Sequence, residues 1–99
     1  MANVVFSEQA YDDLDEIFTY LAARDFSAAE RYLGEVRASC FRLGDFPELG
    51  RRYDKAYRVL VVRNHLIFYR YESRRARVNI VTVIDGRRDL ADLLPKLLK

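Results

Sequence analysis

The sequence is poor in the residues that most often carry chemistry. One cysteine, Cys40, cannot close an intramolecular disulfide, and with His65 as the only histidine there is no Cys/His set for zinc. A reducing compartment is expected. The four glycines stand apart at 34, 44, 50 and 86, so neither a P-loop nor a dinucleotide-binding glycine pattern exists. No apolar run approaches the roughly 20 residues of a membrane span, and Met1 to Ser7 lacks a basic leader, which gives the expectation of a cytoplasmic protein without a membrane role. At 99 residues the chain is short for two units of ordinary size, and residues 1–99 are read as one domain.

With 51% hydrophobic and 32% charged residues, there is apolar surface for one small core and enough charge for solubility. The net charge of +2 hides a division. Residues 1–50 hold 4 arginines against 10 carboxylates, net −6, and residues 51–99 hold 13 Lys and Arg against 5 carboxylates, net +8.

Asn3 to Phe6 is β-prone, and Ser7 is a suitable N-cap for a helix whose apolar stripe is Ala10, Leu14, Ile17, Phe18, Leu21 and Ala22. That spacing leaves Asp12, Asp13, Asp15 and Glu16 on a solvated face. Ser27 and Glu30 form a capping box for a second helix with the stripe Ala29, Leu33, Val36, Cys40 and Leu43. Gly44 stands where a left-handed C-terminal cap is wanted, and Pro47 prevents continuation. The two helices are expected as an antiparallel hairpin, followed by a loop over residues 46–53. From Tyr57 the period changes to that of strands: Tyr57–Val62, Leu66–Tyr71 and Arg77–Ile84 are β-branched and aromatic, with short connections, and predict an antiparallel meander. Alternation puts Leu66 and Phe68 on the face opposite Ile67 and Tyr69, so that one face receives the helices. Leu90, Leu93, Leu94, Leu97 and Leu98 predict a short C-terminal helix, kinked or broken at Pro95.

Little in this pattern suits a nucleophile held by a base, a carboxylate pair or a metal. Cys40 falls on an apolar stripe and reads as packing; His65 falls in a hairpin turn and reads as exposed. The informative feature is the basic set of the second half: Arg51, Arg52, Lys55, Arg58, Arg63, Arg70, Arg74, Arg75, Arg77, Arg87 and Arg88, interleaved with Tyr53, Tyr57, Tyr69 and Tyr71. Such a set can dock RNA, DNA or an acidic protein segment, or can simply solubilise the sheet.

The stretches Ser7–Tyr20, Pro47–Gly50, Tyr57–Arg70 and Val81–Asp89 together resemble the RelE/ParE family, the toxin halves of bacterial type II toxin–antitoxin modules. The resemblance implies an α+β fold: an N-terminal strand, a two-helix antiparallel hairpin packed on an antiparallel sheet of three further strands, and a short C-terminal helix. It also implies one of two activities, or neither in an inactive relic of the fold. RelE-like members cut messenger RNA on the ribosome, and here that role would fall to Arg58, Arg87 and Arg88 with Tyr69 nearby. ParE-like members inhibit DNA gyrase without a nuclease centre. Leu60 and Leu66 stand where the nucleases carry cations, and no tyrosine or histidine follows the last strand, so the resemblance favours a ParE-like gyrase inhibitor of the plasmid-stabilisation type that is no enzyme, needs no cofactor and arrests growth. Target or partner contacts are expected from Arg58, Tyr69, Arg70, Arg87 and Arg88. A cognate, ParD-like antitoxin is expected on Leu14, Phe18, Leu33 and Val36, with DNA met only indirectly, through the antitoxin complex.

Overall fold

The extended segment Asn3–Phe6 (β1) ends at Ser7, whose side chain joins two elements at once. Its Oγ accepts from Ala10 N at 3.0 Å, capping helix α1 (Glu8–Ala22), and its hydroxyl donates to the Val81 carbonyl at 2.6 Å. The computed structural model describes residues 1–98. Helix α2 spans Phe26–Arg42 and is capped by Asp25, whose carboxylate accepts from Ala28 N at 3.0 Å. The expected Ser27 cap is displaced two residues upstream, because Asp25 is extended and brings a negative charge to the positive end of the helix dipole. Gly44 does not adopt a left-handed conformation. Its role is close approach: a Cβ there would lie 2.7 Å from the Ala2 carbonyl, and Ala2 N donates to Gly44 O at 2.7 Å.

The sheet has five strands in the order β1-β5-β4-β3-β2, with β2 at Arg51–Arg52, β3 at Arg58–Val62, β4 at His65–Glu72 and β5 at Arg77–Asp85. The meander is antiparallel as expected, but β1 pairs with β5 in parallel, so the sheet is mixed. The helical hairpin supplies the crossover that a parallel pair requires. Strand β2 lies inside the segment expected as loop; two residues are too few to show alternation.

The faces follow the alternation. Val62, Ile67, Tyr69, Val78, Ile80 and Val83 pack with Leu14, Leu33, Val36, Cys40 and Leu43 of the helical half. On the opposite face Val59, Phe68 and Ile84 pack with Leu94, joined by Leu66, Leu90 and Leu97. Leu94 belongs to α3 (Leu90–Leu97), which Asp89 caps and which runs unbroken through Pro95. In eight residues Pro95 removes one helical N–H donor, and burial of the leucine stripe outweighs that loss. No helix among the described residues is long and apolar enough to cross a membrane.

Asp13 departs from the solvated face expected of it. Its Oδ2 accepts from the Thr82 hydroxyl at 2.6 Å and from Val83 N at 2.9 Å, and its Oδ1 from Gln9 Nε2 at 2.8 Å. A register shift where Phe68 faces Thr82 and Tyr69 faces Ile80 leaves Val81 unpaired beside this contact.

Candidate functional site

The residues expected to act on a target fall into two groups. Arg58 and Tyr69 are register partners on the face covered by the helices. Arg58 is half-buried and donates to the carbonyls of Gly50, at 2.7 Å, and Glu48, at 3.4 Å. Tyr69 is wholly buried: its hydroxyl donates to Pro47 O at 2.8 Å and accepts from Gly50 N at 2.9 Å. Burial pushes this phenol up from its ordinary pKa, against the pull of the Gly50 N–H and Arg58. The place expected for Tyr69 in a partner-facing surface is therefore corrected: its ring is core, and its hydroxyl anchors the loop over 46–50.

Arg87 and Arg88 follow the far end of β5. From Ile80, the partner of Tyr69, to Asp85 is five residues, about 17 Å of strand. Arg87 grips Asp85 through Nε at 3.0 Å and Nη2 at 2.6 Å, and this guanidinium holds the Asp85 carboxyl well below the usual carboxylate range. Arg88 is exposed and makes no ion pair among the described residues. Arg70 is exposed on the other sheet face, its guanidinium 5.9 Å from the centre of the Tyr57 ring. Leu60 packs into the helical core and Leu66 packs beneath α3. The two leucines thus occupy opposite faces, and cations in their places would not converge.

The residues expected to meet an antitoxin also divide. Leu14, Phe18 and Leu33 line an open groove of about 550 Å³ between β1 and the two helices. Val36 lies outside it and is 0% exposed, so it offers a partner nothing, which corrects its expected role. The groove adds Val4, Phe6, Tyr11 and Phe41, which the stripes alone do not pick out. The Phe6 ring centre lies 5.6 Å from that of Tyr11 and 5.7 Å from that of Phe41, and the last two are 57% and 52% exposed. The available signal is the presence of large aromatic residues beside, not within, each apolar stripe.

A second cleft, about 1120 Å³, opens between the helices and the end of the sheet that carries Asp85. Five arginines and five carboxylates rim it, so it selects no sign of charge. His65, expected to be exposed, opens β4 in a half-buried position with Nδ1 2.5 Å from the Tyr32 hydroxyl. Burial lowers the imidazole pKa and raises that of the phenol, so both are neutral at pH 7 and the contact stitches α2 to the sheet. Arg63, left-handed at φ 53°, pairs with Glu35 of α2 at 2.6 Å and fixes the same corner. Cys40 is buried and its thiol is pushed up to about 12, too high for a nucleophile. No group of three His, Cys, Asp or Glu suited to a metal occurs among the described residues.

Comparison with known proteins adds to this geometry. The family model described as the ParE toxin of the type II toxin–antitoxin system parDE matches residues 4–90. Among solved structures, the chain is similar to one from the chromosomal ParDE toxin–antitoxin system of P. aeruginosa, with TM-score 0.73 and 15% identity over 86% of this chain and 96% of that one. It is also similar to the isolated E. coli RelE toxin, with TM-score 0.63 and 11% identity over 99% and 100% of the two chains. A third similar structure is the intact E. coli RelBE toxin–antitoxin complex, with TM-score 0.64 and 11% identity over 89% and 100%. No curated protein matches the sequence.

Proposed function

Because the chain belongs to the ParE family of type II toxin–antitoxin toxins, we propose that it blocks replication in the cytoplasm by binding DNA gyrase, with no catalytic residue of its own. One observation carries binding over cleavage. A metal-free nuclease needs several cations and an acid–base group converging on one phosphate. Here Tyr69 is buried, Arg58 is tied to backbone carbonyls, and Arg87 is tied to Asp85 at the other end of the sheet. The purified chain is expected to inhibit supercoiling by gyrase and to leave messenger intact in a translating extract. Unchanged supercoiling together with cleavage in the ribosomal A site would establish the RelE-type ribonuclease instead.

A cognate antitoxin, ParD-like or similar, neutralises the chain on this reading, and the groove between β1 and the helices is its seat. The groove has an apolar floor in Leu14 and Leu33, with aromatic walls already ordered against Phe6, which suits an amphipathic segment. Tyr11→Ala with Phe41→Ala is expected to weaken antitoxin binding about 30-fold in calorimetric titration, since buried aromatic anchors dominate such interfaces. The melting temperature should barely move, because both rings are half-exposed in the free chain. An unchanged affinity would rule the groove out.

A further inference from the structure

Between residues 55 and 84 the chain has seven Lys and Arg but one carboxylate, Glu72. Two of the seven are engaged: Arg63 by Glu35, and Arg58 by the Gly50 carbonyl. The remaining cations gather at the end of the sheet away from Asp85. Arg51 pairs in register with Val59, and Val59 with Phe68. Arg70 lies two residues beyond Phe68 on the same strand face, and Arg77 pairs with Glu72 two residues further on. Arg51, Arg70 and Arg77 therefore share the face opposite the helical hairpin, Arg51 at the side of the core beneath α3 and Arg70 and Arg77 beyond it. Lys55 borders it from the β2–β3 loop, and Arg74 and Arg75 from the 3-10 turn Ser73–Arg75 that joins β4 to β5. None of these six cations forms an ion pair within 4 Å of a carboxylate among the described residues; Glu72 is held by the Asn79 amide at 2.6 Å, and it is the one carboxylate whose charge Arg70, Arg75 and Arg77 share.

We infer that this face binds the phosphate backbone of duplex DNA directly. An acidic protein segment fits it less well, because protein interfaces have an apolar centre within a polar rim, and the centre here is Arg70 beside Asn79. The duplex fits better than a single strand for two reasons. Arg51 and Arg70 are two interstrand steps apart across the sheet and two residues apart along it, about 12 Å in all, close to the roughly 12 Å width of the major groove and so able to stand beside both of its phosphate rows. Unpaired bases need aromatic platforms; Tyr57 is buried under Arg70, and Tyr53 is docked edge-on against Phe68 at 5.2 Å. On this inference the chain meets DNA itself, not through an antitoxin alone, and the contact does not depend on gyrase being the target.

The test is anisotropy of a labelled 24-base-pair duplex of arbitrary sequence with the free, full chain between 50 and 200 mM salt. Binding is expected to weaken with a log–log slope of about −4, and Arg74→Glu with Arg75→Glu is expected to lower affinity at least about tenfold and to flatten the slope by about two. Arg70→Ala with Arg77→Ala should act in the same direction. Arg31→Glu, a charge reversal on the exposed side of α2, serves as the control and should change affinity less than about twofold. Melting curves of each variant establish that it is folded. Failure to bind at 50 mM salt, an equal loss in the Arg31 variant, or tighter binding of a single strand of the same length each overturns the inference. Supercoiling inhibition is read in a separate assay, so failure of the DNA contact and failure of the gyrase reading are distinguishable.

Discussion

Gly50→Ala is expected to destabilise the chain by about 3 kcal/mol, the cost of forcing an atom into a filled site together with a weakened hydrogen bond. A Cβ at Gly50 would stand 2.8 Å from Tyr69 Cε1, 2.8 Å from its hydroxyl oxygen and 2.8 Å from the Val59 carbonyl. None of these atoms can yield easily. The ring is wholly buried, the carbonyl belongs to β3, and the hydroxyl is held between Gly50 N and Pro47 O. Tyr69→Phe removes the hydroxyl alone and strands the Gly50 N–H and the Pro47 carbonyl, at about 2 kcal/mol. Combining the two changes should cost less than their sum, since the phenylalanine no longer presents the oxygen that the new methyl group meets. For a domain of this size, 3 kcal/mol corresponds to a fall in Tm of about 12 °C or more, readable by circular dichroism. A loss below about 1 kcal/mol for Gly50→Ala would mean that the 46–50 loop is not clamped as described.

The same corner shows what the sequence makes legible and what it does not. Period-2 alternation correctly separates Leu66 and Phe68 from Ile67 and Tyr69, because in a strand it follows from backbone geometry alone. It does not reveal that the Tyr69 hydroxyl is consumed by a loop some twenty residues upstream, so a tyrosine among arginines reads as a surface residue. Arg58 misleads in the same way: a cation on a strand looks available, but backbone carbonyls of that loop are its partners. The parallel placement of β1 is hidden for a different reason. Four residues carry no register information, and only the path of the helical hairpin puts them beside β5. In the groove, Leu14, Phe18 and Leu33 follow from helical periodicity, whereas Val36 shares the α2 stripe of Leu33 but lies outside the groove. A stripe identifies the buried side of a helix; which part of that side remains open depends on the neighbouring elements.

Asp13→Ala should cost about 3 kcal/mol, although Asp13 sits in a run of acidic residues that composition alone would assign to solvent. Its carboxylate accepts from the Thr82 hydroxyl and also takes the Val83 N–H, at the point where the unpaired Val81 interrupts the ladder between β4 and β5. Thr82 is 0% exposed, so water cannot replace the lost oxygen without opening the contact between α1 and β5. Two donors left unsatisfied at about 1 to 3 kcal/mol each account for the expected size. Asp13→Asn retains one acceptor oxygen and should cost about 1 kcal/mol, because a neutral amide oxygen accepts more weakly than a carboxylate. Adding Thr82→Val to Asp13→Ala should recover about 1 kcal/mol, since it removes one of the stranded donors at nearly constant volume. Asp12→Ala, one position away and exposed, is the matched control and should lie within about 0.5 kcal/mol of the parent in urea unfolding. Equal effects at positions 12 and 13 would return Asp13 to the solvated face. The expected contrast would instead identify it as the carboxylate that fixes α1 to the bulged strand, and through Ser7 of the same helix end to β1 and the floor of the groove.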